Sequence, residues 1–330
     1  MYDIISIGDT VQDVYLEMSP ENTHLHTLND TTQEISFTFG TKIPVTSKHD
    51  AIGGNAANAA IAFARLGFRT AIYTHVGGDG TGTRIINEFT QNGVSTDYIV
   101  TDEGKESNYN TIINLNGERT ILIYHAHRHF ALPRLLKASW VYLTSMSKGF
   151  EVIFDDLIGY LDATGAKLCF QPGTFQLNFG AEKTAKILKR ADIFGLNKEE
   201  AELYLGKPTG TPIRELLDAA LALGPKLVVI SDGPKGAYCS DGKEYLYLGI
   251  IKDAPRKEAT GAGDSFVAGF MAATTDGKTP AEALRWGQAE SSSVIQFVGP
   301  QAGLLSHLEL TQLLEKYPDL QAVPLDSLEN

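Results

Sequence analysis

The chain has 330 residues, enough for one large α/β domain or two smaller ones, and 43% of them are hydrophobic, enough for a sizeable core. A formal net charge of −12 argues against a nucleic-acid binder, which needs a basic face for phosphates, but leaves room for a small nucleotide held by backbone amides and Mg²⁺. The two cysteines, Cys169 and Cys239, make no disulfide framework and read as small buried apolar residues of a reduced, cytoplasmic protein.

In chain order, Met1 to Asp9 reads as a first strand through Ile4–Ile7 rather than a signal peptide. Asp13 follows, and taken alone is a turn residue. The segment from Val14 to about Val45 carries a β-type run, Glu34 to Gly40. Gly53-Gly54 then opens a helical pattern in which Ala56, Ala59, Ala60 and Phe63 fall at helical spacing and Gly67 is the stop. Asn55 and Asn58 lie three apart near its first turn, where amides can grip hydroxyl groups or simply cap the helix. A strand is expected at Ala71–Val76. From Asn108 to about His125, Asn116-Gly117 joins two alternating runs, a strong hairpin signal.

Further apolar runs at Trp140–Leu143, Leu168–Phe170, Ile193–Leu196 and Leu227–Ile230 alternate with helical patterns. Such strands suggest a mainly parallel sheet covered on both faces, with ligands beyond the carboxyl ends of the strands. No apolar run approaches the roughly 18 residues of a membrane span. The last distinctive stretch is Thr260-Gly261-Ala262-Gly263-Asp264, before the small apolar run Ser265 to Phe270. A Gly-rich turn opening a helix aims free N–H groups at one point, a seat for phosphate. A carboxylate there opposes phosphate unless it has work to do, such as taking a proton from an attacking hydroxyl.

Two of these stretches occur together in a known pattern. Residues 53–77 (Gly-Gly-x-Ala-x-Asn-x-Ala, then Gly67 and Gly77) and 258–264 resemble the two signatures of the ribokinase, or phosphofructokinase-B, family of carbohydrate kinases. Asn197-Lys198-Glu199-Glu200 resembles that family's Asn-x-x-Glu motif. Ser231 to Gly236 resembles its nucleotide loop. The motifs stand in family order from the first strand to about residue 303. Departures are Glu258-Ala259 before Thr260, and Gln171-Pro172-Gly173 where many members carry Asp-x-Asn-x-Arg.

The resemblance implies an α/β fold: a ribokinase-like three-layer αβα core with a mainly parallel sheet and a small projecting β-sheet lid. Residues 1–13, 46–107 and 126–330 would form the core, and 14–45 and 108–125 the lid. It implies transfer of the ATP γ-phosphoryl group to a hydroxyl of a sugar or sugar acid. Asp264 would be the general base, with an anion hole from the amides of Gly261, Ala262 and Gly263. Asp13, Gly54, Asn55 and Asn58 would hold the sugar. Asn197, Glu200, Ser231, Gly233 and Gly236 would serve ATP, with Glu200 on Mg²⁺ through water. Several members also bind a monovalent cation beside the anion hole. The loop Gly299 to Gly303 can supply carbonyls for one, whereas Glu258 replaces the usual Asp.

Alternatives stay open. A nucleoside kinase shares the scaffold and would need an aromatic clamp, for which Phe37, Phe39 or Tyr109 can serve. A non-catalytic sugar-binding relative is the third. In His125-Ala126-His127-Arg128-His129, alternate residues on a strand would share a face. The run can be a polar strand end, a substrate contact or a metal site, and Arg128 over the substrate would favour an acidic or phosphorylated sugar. Gly277-Lys278-Thr279 is not a P-loop, because Ala272 stands where that motif needs glycine. A lid with one apolar face suggests a homodimer.

Overall fold

The computed structural model describes residues 1–28, 33–116 and 118–328. In chain order the strands and helices are β1 (Tyr2–Ile7), β2 (Val11–Met18), β3 (His24–Thr27), β4 (Gln33–Ser36), β5 (Val45–Gly53), α1 (Asn55–Arg65), β6 (Thr70–Gly77), α2 (Gly80–Gln91), β7 (Ser95–Asp102), β8 (Tyr109–Leu115) and β9 (Glu118–Tyr124). Then come β10 (Ala138–Leu143), α3 (Phe154–Thr164), β11 (Lys167–Phe170), α4 (Thr174–Phe179), α5 (Ala185–Arg190), β12 (Ile193–Asn197), α6 (Lys198–Tyr204), α7 (Ile213–Leu221) and β13 (Leu227–Ser231). The last are β14 (Ala237–Ser240), β15 (Tyr245–Leu248), α8 (Ala262–Thr275), α9 (Pro280–Val294), α10 (His307–Lys316) and β16 (Val323–Pro324).

Successive side chains of a strand point to opposite faces, and the core sorts that way. Ile4, Trp140, Tyr142, Cys169 and Val229 pack with α1, α8 and α9 on one face. Ile5, Ile7, Val141, Leu143, Phe170 and Val228 pack with α3, α5 and α7 on the other. Between these layers runs a ten-stranded sheet in the order β16-β15-β14-β13-β12-β11-β10-β1-β6-β7. It is parallel from β7 to β13 and antiparallel beyond. All six apolar runs read from the sequence lie within its strands. Both cysteines are free and buried, and burial raises both thiols, that of Cys239 to about 12. No described helix is long and apolar enough to cross a membrane.

A second sheet, in the order β5-β2-β8-β9, forms the lid. Strand β2 runs antiparallel to β5 and parallel to β8, while β8 and β9 form the expected hairpin. Gly117 of its turn lies outside the described residues. The lid differs from the sequence reading at two borders. Residues 46–53, assigned to the core, join Val45 in lid strand β5, and Asp13 lies inside β2 rather than before it. Beyond Met18 the expected lid segment leaves this sheet, and β3 and β4 form a separate two-stranded one. The reason is pairing: the partner of residues 11–18 is the stretch running into Gly53, not the Glu34–Gly40 run.

Candidate active site

Helix α8 begins at a left-handed Gly261, φ 78°, where a β-carbon would stand 2.5 Å from Pro300 Cβ. Only glycine fits both the dihedral and the space. Among the described residues, the N–H groups of Gly261, Gly263 and Asp264 have no protein acceptor. Ala262 departs from the expected anion hole: its N–H closes the turn onto Ala259 O at 3.2 Å. The free donors at this helix start are therefore residues 261, 263 and 264.

Asp264 is buried on the first turn of α8, and two neutral side chains hold its carboxylate. Asn58 Nδ2 donates to Oδ2 at 2.9 Å, and Gln171 Nε2 donates to Oδ1 at 3.3 Å. Gln171 is fixed in turn by the Tyr142 hydroxyl at 2.6 Å, and Asn58 by Gln301 Nε2 at 3.0 Å. Burial pushes the Asp264 pKa up to about 6, against the opposing pull of both amides. Gln171 follows the strand Lys167–Phe170 directly, so a polar residue at a strand's carboxyl end was the signal for it.

Helix α1 delivers Asn58. Gly54 starts it at φ 95°, and a β-carbon there would meet Asp9 O at 2.5 Å. Asn58 is buried, whereas Asn55 is half-exposed. Across the cleft stands Asp13 on the inner face of the lid. Asn110 Nδ2 donates to its Oδ1 at 2.9 Å, and a side chain at Gly53 would overlap its Oδ2. Burial raises Asp13 to about 6, and repulsion from Glu258 and Asp264 adds to the shift. Asn110 was not legible in sequence, because it reaches Asp13 only through β2–β8 pairing.

Asn197 and Glu200 form a reciprocal cap at the start of α6. Asn197 Oδ1 accepts from Glu200 N at 2.8 Å, and Glu200 Oε2 accepts from Asn197 N at 2.9 Å. Burial lifts Glu200 to about 7, with Asp264's charge a smaller contribution. Asn197 pairs in register with Ser231, so both lie at the carboxyl ends of neighbouring strands. Gly233 and Gly236 follow with positive φ, and Asp232 N–H donates to Gly236 O at 2.8 Å, closing the loop.

Other expectations are corrected. Arg128 does not face the cavity. Its fully buried guanidinium donates to Asp102 Oδ2 at 2.9 Å and to Glu106 O at 2.6 Å. Strand β9 ends at Tyr124, so the alternate-face premise for the three histidines lapses. His125 meets Phe175 at a tilt of 46° and lies 3.4 Å from Asp9, while His127 and His129 meet edge to face. Of the three clamp candidates, Phe39 is fully exposed and Tyr109 alternates with Asn110 to the other face of β8, while Phe37 is half-buried just beyond β4. Glu258 is taken up by protein donors, accepting from Gly299 N at 2.8 Å and from the Thr260 hydroxyl. Arg119 of β9 donates to Thr260 Oγ1 at 2.8 Å and lies 3.4 Å from Glu258, bridging lid to core.

Comparison with known proteins bears out the family and the fold. The model of the pfkB family carbohydrate kinases matches residues 25–307. A ribokinase of Bacillus subtilis (strain 168) is 27% identical over 270 residues, 79% of this chain and 87% of that protein. The structure of Arabidopsis thaliana ribokinase complexed with ribose and ATP superposes with a TM-score of 0.78 at 22% identity, covering 95% of this chain and 99% of that one. A Burkholderia thailandensis nucleoside kinase in complex with inosine superposes at 0.74 with 17% identity, covering 96% and 99%.

Proposed function

This chain belongs to the pfkB family of carbohydrate kinases, phosphotransferases with an alcohol as acceptor, and from that premise we propose an ATP-dependent kinase that phosphorylates a hydroxyl of a sugar-type acceptor. One observation carries the reading: the buried Asp264 carboxylate, held by neutral amides only, beside three free backbone N–H groups.

The roles follow from chemistry. Asp13, with Gly54, Asn55 and Asn58, orients the acceptor between lid and core. Asp264 takes the proton as the acceptor oxygen forms its bond to the γ-phosphorus and the bond to the ADP oxygen breaks. The amides of Gly261, Gly263 and Asp264 receive the charge that develops on the phosphoryl oxygens. Asn197, Ser231, Gly233 and Gly236 line the nucleotide side. The oriented carboxylate of Glu200 is a hard oxygen donor, which suits Mg²⁺ held mostly by water and phosphate, with Glu200 reaching it through water. When bound, the ion neutralises phosphate charge. The cap from Asn197 holds Glu200 in orientation for that contact.

A neutral sugar suits the site better than a sugar acid, because Asp13, Glu258 and Asp264 repel one another there and Arg128 is spent elsewhere. ATP use and two buried thiols accord with a cytoplasmic protein. The exposed apolar side chains of Ile121, Leu122 and Ile123 on edge strand β9 favour a homodimer through the lid. ADP release with a panel of pentoses, hexoses, sugar acids and nucleosides tests the reading. Asp264→Asn is expected to lower turnover by about 10² or more with nucleotide affinity retained. Unchanged turnover would remove Asp264 from the mechanism, and no ADP release with any acceptor would favour a non-catalytic sugar binder.

A further inference from the structure

Tyr15 lies two residues beyond Asp13 on β2, so both side chains leave the same face of the lid, roughly 7 Å apart along the strand. Its residue is 6% exposed, and its hydroxyl, beside the Thr260 side chain, makes no hydrogen bond of normal geometry among the described residues. Asn114, brought opposite Glu17 by β2–β8 pairing, likewise has a buried Oδ1 without a partner. A buried polar atom left unpaired costs on the order of 1–3 kcal/mol, so two aimed at one space mark a site for a ligand.

That space is a cavity of about 250 Å³ between the inner lid face and the loop before the anion hole, walled by Tyr15, Glu17, Asn114, Arg119, Lys257 and Glu258. Its volume is that of roughly eight waters, which is room for one further polar group of ring size. Arg119 closes the side next to Thr260, so the cavity abuts the start of α8.

The lining decides the class of occupant. Four carboxylates lie on or beside this face, those of Asp13, Glu17, Glu258 and Asp264. The facing cations are Arg119, already engaged with Glu258 and Thr260, and Lys257 at the exposed rim. An anionic group is disfavoured in that field. A planar base finds no parallel-walled slot either, since the Tyr15 and His49 rings are tilted by 48° at 6.0 Å. Unpaired hydroxyl and amide oxygen, with the Glu17 carboxylate alongside and Glu258 already engaged by Gly299 and Thr260, suit a neutral group rich in hydroxyls.

Building on the kinase reading, we propose that the natural acceptor extends beyond one sugar ring: the reactive ring lies between Asp13 and Asp264, and a second uncharged polyhydroxyl group, a further sugar ring or a polyol arm, fills the cavity at Tyr15 and Asn114. The experiment measures kcat/KM of the purified protein for hexoses and pentoses, each beside a disaccharide containing it, with a sugar acid and a nucleoside as further arms. The expected result is at least one disaccharide about tenfold above its parent monosaccharide. Tyr15→Phe and Asn114→Ala should each reduce that ratio several-fold, mainly through KM. The inference is overturned if every monosaccharide equals or exceeds its extended counterpart, if the sugar acid or nucleoside is the preferred acceptor, or if neither variant changes the ratio. Turnover of monosaccharides alone would sink this inference and spare the kinase reading, whereas no turnover with any acceptor would sink both.

Discussion

Asp264 and Arg128 are both buried and charged, and they are held in opposite ways. Arg128 is met by the Asp102 carboxylate, which His75 Nδ1 also approaches at 3.0 Å, and by the Glu106 carbonyl. Asp264 has only the amide groups of Asn58 and Gln171, with free backbone N–H groups at its side. A buried charge matched by an opposite charge is scaffold: Arg128 ties the end of β7 to the segment that feeds lid strand β8. A buried charge held by neutral donors keeps its appetite for a proton, and its raised pKa records that.

The contrast breaks most easily at Arg128. Arg128→Leu leaves Asp102 without its cation and is expected to cost about 3 kcal/mol of unfolding free energy, read by urea titration, while the acceptor KM of the folded protein stays near that of the parent. A large rise in KM with stability intact would put Arg128 back in the site. Next in size is Gly261→Ala. The substitution forces a side chain into a left-handed dihedral against Pro300, and turnover should fall roughly 10² as the free amides lose their aim. Wild-type turnover would show that the amide arrangement is dispensable.

A smaller effect sharpens the Asp264 half. The Asn58 donor favours the ionised carboxylate, so Asn58→Ala should raise the Asp264 pKa further, by about one unit, and move the acidic limb of the pH–rate profile upward. An unmoved limb would mean that Asn58 does not tune the base. The smallest expectation is no change: omitting K⁺ should leave turnover as it was, because Glu258 is occupied by Gly299, Thr260 and Arg119. A K⁺ requirement would show that those contacts open to admit a cation.

What the sequence made legible were features set by local pattern. Apolar runs such as Trp140–Leu143 and Leu227–Ile230 need no partner to be read as strands, and the glycines before Asp264 announce a helix start at a ligand. What it hid depends on register between distant segments. Asn110 meets Asp13 across 97 positions of sequence, and Arg119 meets Thr260 across 141. No local pattern encodes which strands pair, so Asn110, Tyr15 and Arg119 carried no signal. Arg128 misled for the same reason: a charged residue at the end of the lid looks substrate-facing until β7 brings Asp102 to it.

The central claim is that Asp264 is the proton acceptor, and its most direct test is turnover against pH for the parent and Asp264→Asn. A raised carboxylate is protonated below its pKa, so activity should climb through about pH 6 to a plateau above. Asp13 and Glu200 titrate in the same range and make that limb steeper than a single ionisation. The account predicts that Asp264→Asn lies about 10² or more below the parent on the plateau, with the limb less steep by one ionisation and nucleotide still bound. A plateau at the parent's height with the same steep limb would contradict it.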